Sequence, residues 1–171
     1  MRLFPDAMSG SAYDIDYGYL YDRGYRGIIF DIDNTLVEHN EPATDRAVRL
    51  VDSLHDMGYR VCVVSNNREP RVKSFAEAAG CGNVYKAGKP GAGGYRKAMD
   101  LMGCGTGDTL AVGDQLFTDI WGANNAGIRS VMVRRIASHE EIQIHLKRIP
   151  EALITGIYIL IYGRRGEKEL L

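Results

Sequence analysis

Asp31 and Asp33 stand two residues apart directly after the apolar run Ile28-Ile29-Phe30, and Asn34-Thr35 follow them. An apolar run of this kind after Gly27 predicts a buried strand of a parallel sheet. Residues i and i+2 of an extended segment point to one side. The two carboxylates are thereby expected in one crevice at the strand's carboxyl end, where open α/β sheets bind ligands. Taken alone, the stretch also reads as a strand entering an Asp/Asn-rich turn.

Three further apolar runs end in polar residues. Residues 61–64 stop at Ser65-Asn66-Asn67, Val84-Tyr85 is followed by Gly88-Lys89-Pro90, and 109–112 gives way to Gly113-Asp114, with Asp119 next along. In a parallel sheet all these ends share one edge. Any one polar strand end is ordinary, but the types together fit one reaction. Carboxylates of Asp31, Asp33, Asp114 and Asp119 brought together repel, and some must take up protons. A divalent cation removes that conflict, and an all-oxygen site shared with a phosphate suits Mg²⁺. Lys89 adds a point charge, and Ser65 with nearby backbone N–H groups can hold further phosphate oxygens. The cation and Lys89 would stabilise a phosphoryl group in transfer. One carboxylate can attack phosphorus to form an aspartyl-phosphate. A second, two residues on, can protonate the leaving oxygen and later activate water.

The elements that must position these residues alternate. Strands are expected at 27–32, 59–64, 84–85, 109–112 and 130–133, and helices at 16–23, 44–57, 70–79, 94–102 and 118–126. Thr44 caps its helix, Pro70 suits a first turn, and glycines follow the helix ends. Such alternation predicts right-handed βα units and a doubly wound, three-layer parallel sheet. Residues 1–13 read as irregular. Ser138-His139-Glu140-Glu141 is a capping box opening a helix toward Lys147, and 152–162 is almost wholly apolar.

The 171 residues fit one domain, with a core over 27–135 and a C-terminal extension over 138–171. A net charge of −1 gives no global pull toward nucleic acid, and none is expected as a partner. The three dispersed cysteines form no metal pattern and suit a reducing, cytoplasmic setting. The first residues lack a signal peptide's apolar core, and no stretch is long enough to span a bilayer.

The motifs DIDNT at 31–35, VVSN at 63–66, GKP at 88–90 and GDQLFTD at 113–119 resemble, in type, order and strand placement, those of the haloacid dehalogenase-like (HAD) superfamily. The resemblance implies a Rossmann-like phosphatase with Asp31 as nucleophile and Asp33 as general acid/base. It implies Thr35 supporting the turn, Ser65 and Lys89 binding phosphate, and Mg²⁺ held by Asp31, the backbone carbonyl of Asp33, and Asp114, with Asp119 close by. An aspartate at position 33 points to a phosphatase rather than a dehalogenase or ion pump. The short gaps from Val37 to the second strand and from Asn67 to Lys89 leave no room for an inserted cap domain, so the site is open unless a second copy covers it. FPD near the start, YDIDY at 13–17, GIIFDIDNTLV and SNNRE resemble the YqeG-type group of subfamily IIIA, which is related to phosphatidylglycerophosphate phosphatases.

Asn66, Asn67 and Arg68 are placed to contact substrate, although Asn67 is equally suited to cap the following helix. His39 reads as an exposed loop residue, His139 and His145 as surface residues, and Cys62 and Trp121 as core. The leading reading is a Mg²⁺-dependent phosphomonoesterase whose substrate is a phosphorylated small molecule or a phospholipid headgroup. A soluble nucleotide, sugar-acid or polynucleotide-end phosphatase is the rival, and a non-catalytic binding module on the same fold is the third reading. The run at 152–162, with Lys147 and Arg148 before it and Arg164 and Arg165 after it, is suited to peripheral contact through 152–165 with the inner face of a membrane. Packing on the core or on a second subunit is the competing reading.

Overall fold

The computed structural model describes residues 3–136. The helix expected from Ser138 and the apolar run at 152–162 lie outside the described residues. Six strands form one sheet in the order β1-β6-β5-β2-β3-β4. They are β1 (Ala7–Ser9), β2 (Gly27–Phe30), β3 (Arg60–Val64), β4 (Gly82–Val84), β5 (Thr109–Gly113) and β6 (Arg129–Val133). Every pairing is parallel. β2 lies at the centre with Phe30 opposite both Val63 and Val112, so the residues that follow β2, β3 and β5 emerge together.

Among the described residues five α-helices cover the sheet: α1 (Tyr17–Asp22), α2 (Asp45–Asp56), α3 (Glu69–Ala79), α4 (Gly93–Met102) and α5 (Trp121–Ala126). Thr44 caps α2 through its hydroxyl, which accepts from Ala47 N at 3.3 Å. Gly80, Gly103 and Gly127 close α3, α4 and α5 in the left-handed conformation that glycine adopts without penalty. Side chains alternate across each strand. Ile28, Phe30, Val61, Val63, Leu110 and Val112 pack with Leu20, Val51, Leu54 and Phe75, from α1 to α3, on one face. Ile29, Cys62, Val64 and Ala111 pack with Tyr95, Met99 and Ala123, from α4 and α5, on the other. This is the doubly wound three-layer architecture expected. Burial pushes the Cys62 thiol up to about 12, in keeping with an inert core residue.

Between β2 and β3 there is a loop and α2, and between β3 and β4 only α3, so neither gap holds a cap domain. Two expectations differ from what is observed. Residues 7–9, read as irregular, form the edge strand β1, held against β6 and by Asp6, which donates its N–H to Ser130 O at 2.9 Å and accepts from Ser130 N at 3.0 Å. The helix expected at 118–126 begins instead as a π-turn over Leu116–Ile120, and α5 follows it.

Candidate active site

Asp31 lies one residue beyond β2, Asp114 one beyond β5 and Ser65 one beyond β3, so three adjacent strands deliver their polar ends to the same edge. Asp31 continues the ladder, donating its N–H to Val112 O at 3.0 Å. Lys89 comes from the loop between β4 and α4. Asn66 fixes that loop: its Oδ1 accepts from Lys89 N at 2.8 Å and its Nδ2 donates to Lys89 O at 3.1 Å. The side chain of Asn66, expected among the substrate-binding residues, is thus engaged with the backbone of Lys89. Lys89 Nζ in turn donates to Asp31 Oδ1 at 2.5 Å and to Asp119 Oδ1 at 2.6 Å.

Asp119 reaches Lys89 because of the π-turn, a distortion common at functional sites. Both Asp119 N and Ile120 N donate to Gln115 O, at 2.9 and 3.2 Å, and Gln115 N donates back to Asp119 Oδ2 at 3.0 Å. Tyr95 Oη donates to Asp119 O at 3.1 Å. The carboxylate passes so close to β5 that a Cβ on Gly113 would meet Asp119 Cβ at 2.5 Å and Cγ at 2.6 Å. Only glycine leaves that space.

Asp31, Asp114 and Asp119 each offer an oxygen within 4.8 Å of the others'. Burial raises the Asp31 carboxyl to about 8, with Lys89 opposing and Asp119 and Asp114 adding to the rise. Burial also raises Asp114 to about 7, with Asp119 adding and Arg135 opposing. Burial pulls the Lys89 ammonium down, but Asp119 and Asp31 outweigh it and hold the group well above its ordinary value. Asp114 Oδ2 accepts from Arg135 Nε at 2.6 Å, whereas its Oδ1 is buried with no hydrogen-bond partner among the described residues. A buried carboxylate oxygen left unpaired is costly. A hard divalent cation would satisfy it, and the all-oxygen donor set fits Mg²⁺.

Asp33 is held elsewhere. Its Oδ1 accepts from Arg71 Nη2 at 3.0 Å and from Asn40 N at 2.8 Å, and its Oδ2 accepts from Asn67 Nδ2 at 2.6 Å. Its carboxylate therefore stands apart from the acidic cluster. The loop carrying it folds tightly, with Asn34 N donating to Val37 O at 2.6 Å and Leu36 N to Ile32 O at 2.9 Å. Asn34 takes the left-handed conformation at φ 64°, which asparagine tolerates better than most residues. Tyr13 Oη ties the loop from outside, donating to Leu36 O at 2.6 Å. Thr35 is buried inside it, its Oγ1 without a partner among the described residues. Ser65 Oγ accepts from Asn67 N at 3.2 Å, leaving its own O–H as a donor. His39 is exposed.

The structure therefore gathers Asp31, Lys89, Asp114 and Asp119 directly, and holds the Asp33 carboxylate apart from them with Arg71 and Asn67. No sequence motif marks Arg71 or Arg135, the two arginines that hold Asp33 and Asp114. A signal for Arg71 does exist. Arg68 is the N-cap of α3 and Arg71 lies in its first turn, where the helix dipole disfavours cations. An arginine kept there has a reason outside the helix, and Asp33 is that reason.

A family model for haloacid dehalogenase-like hydrolases matches residues 38–127. The chain belongs to that family and is an enzyme of its phosphatase type. It is 38% identical over 137 residues to "Probable phosphatase YqeG" of Bacillus subtilis (strain 168), covering 80% of each chain. It is 31% identical over 139 residues to "Phosphatidylglycerophosphate phosphatase 1, chloroplastic" of Chlamydomonas reinhardtii, covering 74% of this chain and 51% of that protein. Among solved structures, the fold resembles the cobalt-bound deoxy-D-mannose-octulosonate 8-phosphate phosphatase of Haemophilus influenzae, with a TM-score of 0.52, 16% identity, and coverage of 64% of this chain and 68% of that one. Among the described residues no helix is long and apolar enough to cross a membrane.

Proposed function

We propose that this protein is a Mg²⁺-dependent phosphomonoester hydrolase working through an aspartyl-phosphate on Asp31, with phosphatidylglycerophosphate as its substrate. The observation that carries the chemistry is the placing of Lys89 Nζ between Asp31 and Asp119, with Asp114 completing a set of carboxylates close enough to share one cation. Asp31, Asp114 and the backbone carbonyl of Asp33 would hold Mg²⁺, with Asp119 in support. When bound, the metal supplies positive charge to the phosphoryl oxygens.

The nucleophile is a carboxylate oxygen of Asp31, which forms a bond to phosphorus as the ester P–O bond breaks. Lys89 stabilises charge on the transferring group. Ser65 O–H holds a further phosphate oxygen, and Thr35 supports the turn beneath it. Asn66 acts through Lys89 by fixing its backbone. Asp33 donates the proton that leaves with the alcohol, then takes one from the attacking water as the aspartyl-phosphate is hydrolysed. Both oxygens of Asp33 accept hydrogen bonds, so its carboxyl must turn from Arg71 or Asn67 to reach the leaving alcohol.

The lipid assignment draws on the likeness to phosphatidylglycerophosphate phosphatases and on the absence of a cap between β2 and β4, which leaves the site open to a bulky headgroup. We propose that the single chain 1–171 meets the lipid surface through 152–165. The test is phosphate release from phosphatidylglycerophosphate in detergent micelles, from an aryl phosphate and from soluble nucleotide and sugar-acid phosphates, each with and without Mg²⁺. Mg²⁺-dependent release favouring the lipid supports the proposal. Preference for a soluble ester overturns the lipid assignment alone, and no turnover of any substrate overturns the chemistry.

A further inference from the structure

We infer that Arg135 selects the cation at this site: by holding one oxygen of Asp114 it keeps that carboxylate a one-oxygen ligand and favours Mg²⁺ over Ca²⁺. The inference rests on the metal site proposed above. Arg135 lies two residues beyond β6 and Asp114 one beyond β5, and the two strands are paired, with Gly113 opposite Met132. The bond from Arg135 Nε to Asp114 Oδ2 is 2.6 Å, and the Asp114 side chain is wholly buried while that of Arg135 is 20% exposed. The next residue fixes this arrangement, since Ile136 N donates to Asn34 O at 3.1 Å. The backbone beside Arg135 is thereby tied to the loop that carries Asp33.

Each oxygen of Asp114 thus has a different status: Oδ2 is committed to the guanidinium, and Oδ1 is buried and unpartnered among the described residues. Ca²⁺ takes more oxygens than Mg²⁺ and readily uses both oxygens of one carboxylate, whereas Mg²⁺ takes one from each of a few ligands in a tight octahedron. Bidentate capture by Asp114 would require breaking a charge-assisted bond in a buried place. Guanidinium keeps its charge at any pH the protein survives, so the restraint is permanent.

The experiment measures binding of MgCl₂ and of CaCl₂ separately to the full chain by calorimetry, with the metal-induced rise in Tm as a second readout. The variants are Arg135→Met and Asp114→Asn. Asp114→Asn should weaken both cations. Arg135→Met should raise Ca²⁺ affinity relative to Mg²⁺ by about tenfold, the usual scale for losing a group that orients a ligand. If Arg135→Met does not fold, Arg135→Gln carries the same test with a smaller shift in the same direction. A variant that binds Mg²⁺ with the parent's Ca²⁺-to-Mg²⁺ ratio overturns the role of Arg135. If Asp114→Asn binds Mg²⁺ as the parent does, the metal site itself is misplaced and the inference falls with it.

Discussion

Lys89 Nζ stands 2.5 Å from Asp31 Oδ1, pairing the candidate nucleophile with a buried cation. Because Asp119 shares that ammonium, Lys89→Met leaves two buried carboxylates uncompensated. We expect a loss of about 3–5 kcal/mol in metal-free stability, measured by urea unfolding. Mg²⁺ should recover part of it by supplying positive charge to the same oxygens. Equal destabilisation with and without Mg²⁺ would show that Lys89 and the metal do not share these carboxylates.

Asp31→Asn should abolish turnover, because an amide cannot attack phosphorus. Asp33→Asn should slow hydrolysis of an alkyl phosphate by roughly 10²–10⁴-fold, and less for an aryl phosphate whose leaving group needs no proton. Mg²⁺ affinity should change little in Asp33→Asn, since only the backbone carbonyl of that residue is assigned to the metal. Equal slowing of both esters would contradict the acid role.

Gly113→Ala should push Asp119 away from Lys89, since the new methyl would sit 2.5 Å from Asp119 Cβ. Overpacking of this kind costs about 1–3 kcal/mol. The Tm should fall and Mg²⁺ affinity should fall with it. An alanine variant with parental Tm and metal binding would mean the π-turn yields freely.

Burial raises Asp31 from 3.8 to about 8 and Asp114 from 3.8 to about 7 in the metal-free protein. The folded chain therefore binds more protons than the unfolded chain between those limits. Metal-free stability should fall as pH rises through that window. Mg²⁺ must displace the same protons, so its apparent affinity should rise from pH 6 to pH 9 as a consequence of this linkage. Calorimetry in buffers of different ionisation enthalpy reads the released protons directly. Metal binding without proton release would contradict the raised values.

If 152–165 meets lipid, the full chain should sediment with anionic liposomes in low salt and detach as salt is raised. Reversing Arg164 and Arg165 to glutamate should weaken that binding without altering turnover of a soluble aryl phosphate. Sedimentation unaffected by both changes would remove the membrane role.

Most of the architecture could be read from the chain because β2, β3 and β5 each carry an apolar run, Thr44 caps α2, and glycines close α3 and α4. Asp31 and Asp114 could be read for a related reason: each follows directly on a strand, so strand order alone brings them together. β1 was not legible, since Ala7-Met8-Ser9 has no apolar run and pairs with residues from the far end of the described chain. The π-turn was hidden as well, because its register is set by the space above Gly113 and by the Gln115–Asp119 bonds. Arg71 and Arg135 belong to a type that usually faces water; the place of Arg71 in the first turn of α3 is the one hint for it, and nothing in the chain marks Arg135 as turned onto a carboxylate. Asn67, equally suited to cap α3, instead donates to Asp33, and Arg68 takes the cap position.

The pairing of β1 with β6 has a consequence for how the protein is made. Asp6 and Ser130 are 124 positions apart, yet they bond directly. During synthesis residues 7–9 emerge well before β6 and have no partner until it is delivered. The edge strand is therefore the last part of the sheet that can form during synthesis, since contacts between distant segments wait on closure of the chain between them. A segment fused directly ahead of β1 would be carried by that late-docking strand, whereas the strands that deliver Asp31 and Ser65 can pair long before it docks.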